Sequence, residues 1–355
     1  MKYFVSAVFA LAIAASAELP SSEKIVVIER AITAEMSLRR IPGLSVAIGT
    51  NPGRIWTNGY GMADLENFIP AKASSVYRTA SIAKPMTAVA ALQLTERNKL
   101  DLDAPVQKYL TSFPRKQWPL TTRQLLAHLG GVRSYKDAVE MYNTRHYSAV
   151  VDALGLFEQD ALLHEPGTAY AYSTYGYVLA GGVVEIAAGE PYLDYMRKNI
   201  FSAAGMNATQ ADDVYRLIPN RVRGYQVRPN GEIVNSALLD TSGRTPGGGF
   251  SSTAGDLVRF ALAYDSGKLL KAESMEVMST PMSTRDGKST GYGLGWGIYE
   301  RLGRKHLVHS GGQSGVSTLL VYLPTQHLAV AIMTNLEGQQ LQGLAEQIVT
   351  VMLKP

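Results

Sequence analysis

The strand-like segments of this chain lie at its two ends. Near the start, Leu44-Ser45-Val46-Ala47-Ile48-Gly49 reads as a strand and Asn51-Pro52-Gly53 as a turn, and Arg54-Ile55-Trp56-Thr57-Asn58-Gly59 reads as the returning strand. Near the end, Tyr292–Tyr299, Val316–Leu323 and His327–Thr334 read as three strands. Turn-rich stretches, Gly311-Gly312-Gln313-Ser314-Gly315 and Pro324-Thr325-Gln326, separate them. Helices flank both sets. Ile25, Ile28, Ile32 and Met36 recur at helical spacing over 24–38, and Leu341, Leu344, Ile348 and Met352 share one face over 339–353. Residues 81–265 are mostly helical patches broken by Pro and Gly, with no internal repeat. The expectation is an α+β fold, with one antiparallel five-stranded sheet built from both termini and helices on both faces. A mainly helical region is inserted, and the cleft falls where the two parts meet. The sheet part covers about 18–75 and 266–355, and the helical part about 76–265.

Composition narrows the function. The 355 residues suffice for a large buried core. The formal charge of +4 is spread along the chain without a run of five like charges, so no nucleic-acid partner is expected. There are no cysteines, which excludes disulfides, thiolate nucleophiles and cysteine–zinc sites. The six histidines show no metal-ligand spacing, so neither metal nor cofactor is expected. Residues 1–17 read as a signal peptide: Lys2, an apolar Phe4–Ala15, then Ala15-Ser16-Ala17 as a small-x-small cleavage pattern. An uncleaved anchor is the alternative. The expectation is a protein exported to the periplasm or medium, with no stable membrane insertion after cleavage.

The chemistry centres on Ser81-Ile82-Ala83-Lys84, which opens the apolar run Pro85–Leu92. Residues three apart share a helix face, so the Lys84 amine can stand beside the Ser81 hydroxyl. A serine hydroxyl is a poor nucleophile until a neighbour takes its proton. Pro85 fits the first turn of a helix, where exposed N–H groups favour developing negative charge. Ser21-Ser22-Glu23-Lys24 also fits the tetrad and reads as a solvated helix start.

Three further segments suit this chemistry. In Tyr170-Ala171-Tyr172-Ser173-Thr174-Tyr175-Gly176-Tyr177, a phenol near a cationic lysine has its charged form favoured, so Tyr172 fits a general base. The cluster fits a packing role equally well. In His309-Ser310-Gly311-Gly312, the Gly312 N–H can join that of Ser81 around a tetrahedral oxyanion, although a surface hairpin turn fits too. Thr245-Pro246-Gly247-Gly248-Gly249-Phe250-Ser251-Ser252 reads as a tight loop allowing close backbone approach.

In order, these segments resemble the serine β-lactamase-related hydrolases, a family of class C β-lactamases, D-alanyl-D-alanine carboxypeptidases, D-aminopeptidases, esterases and the mitochondrial β-lactamase-like branch. The resemblance runs from about Ile41 to Met352 and includes Gly59–Glu66, Tyr77–Lys84, Leu125–Gly131, Pro166-Gly167, Gly247-Gly248-Gly249 and Tyr292–Trp296. It implies the β-lactamase/transpeptidase-like fold. It implies Ser81 as the acylated nucleophile, Lys84 as its helper, Tyr172 as proton shuttle, and the Ser81 and Gly312 N–H groups as oxyanion donors. Thr174, His309, Ser310 and Gly311 fall at substrate-binding positions. Thr174 stands where the family's Tyr-x-Asn motif has an amide. His309 stands where β-lactamases have a lysine, and its charge would matter only below about pH 6.5. His128 falls in what resembles a structural His-Thr-Ser-Gly turn of the family and is not assigned to catalysis.

The expected activity is an acyl-enzyme serine hydrolase. Its substrates are ester, amide or peptide bonds in small molecules or short peptides. True β-lactamase or penicillin-binding carboxypeptidase activity is an alternative, and a non-catalytic binding role is another.

Overall fold

The computed structural model describes residues 18–50, 54–301 and 303–354. The expected signal peptide and the turn Asn51-Pro52-Gly53 therefore lie outside the described residues. Gly43–Thr50 (β1) and Ile55–Asp64 (β2) form the antiparallel hairpin, with Val46 opposite Asn58. Ile69–Pro70 (β3) adds a short edge. From the far end come Gly297–Arg301 (β4), Arg304–Gln313 (β5), Val316–Leu323 (β6) and Leu328–Thr334 (β7). The sheet order is β3-β2-β1-β7-β6-β5-β4, so the two ends of the chain meet at the β1–β7 seam, where Val46 faces Ile332.

The antiparallel sheet from both ends is present, but it has seven strands rather than five. The extra strands are β3 and most of β5. The strand expected at Tyr292–Tyr299 begins only at Gly297. Gly311, Gly312 and Gln313, expected in a turn, belong to β5. Glycine is poor evidence of a strand, and here it serves close packing. A Cβ at Gly311 would lie 2.5 Å from the carbonyl oxygen of Thr79 and 3.0 Å from the Ala80 side chain.

Side-chain alternation explains the helices on both faces. In β7, Leu328, Val330 and Ile332 join the core under Ser22–Arg39 (α1), while Ala329, Ala331 and Met333 join the opposite core. The first core also takes Leu344, Ile348 and Met352 of the C-terminal helix Gln342–Leu353. Strands covered on both faces lose the polar–apolar alternation of a half-exposed sheet, and all of β1, β6 and β7 is buried. Ser21 caps α1, its side chain accepting the Lys24 N–H. The second Ser-x-x-Lys is thus a helix start, as expected.

The inserted region holds Ala83–Glu96 (α2) and Thr174–Ala188 (α3). α2 is apolar and buried on nearly all sides, as befits the centre of a core. A three-residue helical turn, Ala80–Ile82, leads into it. The Thr79 N–H donates to the Phe250 carbonyl at 2.8 Å, and the Thr318 hydroxyl donates to the Thr79 carbonyl at 2.9 Å. This turn is therefore tied to β6 on one side and to Phe250–Ser252 on the other.

Candidate active site

Ser81 sits in that turn, after Ala80, whose φ of 47° lies in the left-handed region. A non-glycine residue there is strained, and two backbone ties hold it in place. Lys84 is fully buried one turn on. Its Nζ lies 3.1 Å from Ser81 Oγ, 2.7 Å from the Gly247 carbonyl oxygen and 3.4 Å from Thr174 Oγ1. Burial lowers the Lys84 pKa well below the ordinary lysine value, and the nearby Arg244 charge lowers it further. An uncharged amine can donate to Gly247 and Thr174 and turn its lone pair toward the Ser81 hydroxyl. The short helix Thr245–Gly248 brings up the Gly247 carbonyl. A Cβ on Gly247 would lie 2.7 Å from the Thr174 side chain, so glycine permits this approach.

Tyr172 and Thr174 stand at the start of α3, which Ser173 caps by accepting the Gly176 N–H at 2.8 Å. The Ser173 N–H in turn donates to His128 Nδ1 at 3.0 Å. The His128 ring packs 4.2 Å from that of Tyr172, centroid to centroid. His128 thus orients the Tyr172 loop. Lys84 Nζ lies 4.8 Å from the centre of the Tyr172 ring. Tyr172 is 40% exposed. Burial of its hydroxyl still dominates and raises its pKa, against a smaller lowering by Ser81. A cationic lysine favouring a phenolate is therefore not the state this environment supports. Burial favours a neutral amine beside a protonated phenol.

β5 passes the Ser81 turn beyond the last residue that pairs with β4, Val308. Gly311 packs against Thr79 and Ala80. Gly312 lines the cleft that holds Ser81. His309, expected to sense substrate charge, is 5% exposed and does not line the cleft. Its Nε2 meets the Tyr292 hydroxyl at 2.9 Å and its Nδ1 meets the Ser310 carbonyl at 2.7 Å. Burial, with the Lys84 charge second, pushes its pKa down to about 3, so the ring is neutral near pH 7. Ser310 falls on the opposite side of the strand and lines a separate small hollow with Gln342.

The cleft encloses about 420 Å³ and is lined by Ser81, Tyr172, Thr174, Arg244, Gly312 and Glu337, among others. Of the expected site residues, Ser81, Tyr172, Thr174 and Gly312 line it. Lys84 lies beneath, and His309, Ser310 and Gly311 do not reach it. Tyr135, Arg244, Tyr292 and the Gly247 carbonyl escaped the sequence reading. Gly247 carried a signal in its triple glycine, and Tyr292 in the Tyr292–Trp296 segment, but neither was given a role. Larger hollows lie elsewhere, one of about 550 Å³ beside Tyr192, but none of them contains Ser81. Among the described residues no group of three or more His, Asp or Glu side chains is placed to hold a metal.

Known proteins resemble this chain in sequence and fold. A family profile described as Beta-lactamase matches residues 28–350. The mitochondrial serine β-lactamase-like protein LACTB of Homo sapiens is 31% identical over 379 aligned positions, covering 80% of this chain and 69% of the relative. The octameric penicillin-binding protein homologue from Pyrococcus abyssi superposes with a TM-score of 0.80 at 27% identity, covering 93% of this chain and 77% of that one. The D-amino acid amidase from Ochrobactrum anthropi shares the fold, with a TM-score of 0.80 at 23% identity, covering 93% of this chain and 99% of that one. With its β-lactamase/transpeptidase-like fold and this ordered site, the chain belongs to the β-lactamase family.

Proposed function

We propose that this protein is a serine hydrolase that cleaves ester, amide or peptide bonds of small molecules or short peptides through an acyl-enzyme on Ser81. The observation that carries the reading is the 3.1 Å approach of Lys84 Nζ to Ser81 Oγ, where burial favours the uncharged amine. In this reading the Ser81 oxygen attacks the substrate carbonyl as its proton passes to Lys84. The oxygen that becomes negative is met by the Ser81 and Gly312 N–H groups. The C–O or C–N bond breaks, and the proton reaches the leaving group through the Tyr172 hydroxyl. Water then attacks the acyl-enzyme by the reverse relay. The test is labelling by a fluorescent serine-reactive probe or penicillin. The wild type takes up label and Ser81→Ala does not. Equal labelling of both proteins overturns the assignment.

We also propose export, on the pattern of residues 1–17. The mature chain then starts at Glu18. N-terminal sequencing of protein from the native host that reads through Lys2 overturns this.

A further inference from the structure

Arg244 is the only lysine or arginine among the described residues that line the Ser81 cleft. It is 5% exposed. A charge held that far from water needs a partner. Its Nη2 donates to two backbone carbonyls, those of Glu140 at 3.1 Å and Met141 at 2.7 Å, and its guanidinium also interacts with the Tyr135 hydroxyl. Its guanidinium packs over the Tyr135 ring, 4.5 Å from the centroid. Among the described residues no carboxylate forms an ion pair with it. Carboxylates of this region hold other partners. Glu140 is held by Arg133, the Lys136 N–H and the Tyr175 hydroxyl. Asp160 is held by Arg133 and Lys136. Glu337, the one carboxylate among the described residues that line the cleft, accepts the Gly315 N–H at 2.9 Å. The cleft therefore contains a guanidinium whose charge two carbonyls and a ring face only partly offset. Its rigid planar fork suits a carboxylate.

We infer that Arg244 is a specificity residue that anchors an anionic group, a carboxylate, on the substrate. This rests on the serine hydrolase reading and names the substrate class for it. The sequence-based expectation placed charge recognition at His309, which the structure buries. The charge that the cleft presents comes instead from the loop before Gly247. Tyr135 supports it from below, and the Tyr135 hydroxyl also interacts with Thr174, the Lys84 partner.

The test compares three esters: 4-nitrophenyl butyrate, mono-4-nitrophenyl succinate and 4-(butyryloxy)benzoate. The second carries a carboxylate on the acyl side and the third on the leaving group. The readout is the ratio of kcat/KM for each anionic ester to that for the neutral one. This ratio cancels any effect of Arg244 on the Ser81–Lys84 pair. With Arg244→Gln the ratio falls at least about tenfold for one anionic ester, in line with a lost charge-assisted hydrogen bond. With Arg244→Lys it stays within about threefold of wild type. A fall smaller than about threefold for both esters in the Gln variant overturns the inference. So does a Lys variant that behaves like the Gln variant, since that describes a structural pin. Binding separates this result from a failure of the hydrolase reading. Phenylsuccinate and phenylsuccinamide are titrated calorimetrically into wild-type and Ser81→Ala protein, which needs neither turnover nor a folded Arg244 variant. The carboxylate binds at least about tenfold more tightly in both proteins. Equal affinity for the two ligands overturns the inference, even if the hydrolase reading stands.

Discussion

The Tyr292 hydroxyl lies 2.9 Å from Nε2 of His309, and the other ring nitrogen is taken by the Ser310 carbonyl. Nδ1 donates to the carbonyl, and in the neutral ring that burial favours Nε2 accepts from the Tyr292 hydroxyl. This gives His309 a role in stability. Its folded pKa is about 3, below the ordinary value of 6.5. The unfolded chain therefore takes up a proton that the folded one refuses as pH falls through 6.5. The contribution of His309 is complete above about pH 6.5 and is lost progressively between there and about pH 3, at up to about 1.4 kcal/mol per pH unit. Between pH 7 and pH 5, urea unfolding should show a loss of about 2 kcal/mol that His309→Gln lacks. His128, also buried with a lowered pKa, adds loss in the same direction. Equal slopes in wild type and variant would rule out a buried neutral ring.

Ser81, Lys84 and Tyr172 are expected to behave as one relay. Lys84→Met and Tyr172→Phe should each lower kcat by about 10³-fold or more, and the double variant should be little worse than the poorer single. Steady-state kinetics on an activated ester checks this. Fully additive losses would leave Tyr172 as a packing residue.

The acid limb of kcat/KM should report Lys84. In the proposed relay the uncharged amine is the active form, which burial favours first and the Arg244 charge second. Arg244→Gln removes a positive neighbour and raises the Lys84 pKa, so the acid limb moves to higher pH. Arg244→Lys should leave the limb close to its wild-type position. An unmoved limb in the Gln variant would show that Arg244 does not act on the amine.

Adjacent glycines of β5 should respond in opposite ways. Ala at 311 meets the Thr79 carbonyl and the Ala80 side chain, so it must push the Ser81 turn aside. We expect Gly311→Ala to destabilise the fold by about 1–3 kcal/mol and to lower kcat/KM at least about 100-fold. A Cβ at Gly312 meets nothing within 4 Å. Gly312→Ala should stay within about 0.5 kcal/mol of wild-type stability. Paired thermal and kinetic measurements decide between the two. Similar stability of both variants would contradict the packing described for β5.

The sequence by itself determined the elements whose cause is local. Helical periodicity gave both terminal helices within a few residues, and apolar runs gave β1, β6 and β7. The i, i+3 spacing brought Lys84 next to Ser81 without help from the rest of the chain. Tertiary structure decided what depends on distant neighbours. The strand character of Gly311–Gln313 comes from pairing with Val316–Thr318, which outweighs the turn propensity of glycine. Protonation states were equally hidden. Lys84, Tyr172 and His309 have ordinary pKa values as residue types, and it is burial that favours the neutral form of each. Desolvation is a property of the assembled core, and it depends on segments as far apart in the chain as Tyr172 and Tyr292. Arg244 entered the cleft for the same reason. Nothing in its immediate sequence marks it, and only the folding of the Glu140–Met141 carbonyls and Tyr135 around it leaves a guanidinium in the cleft that Ser81 lines.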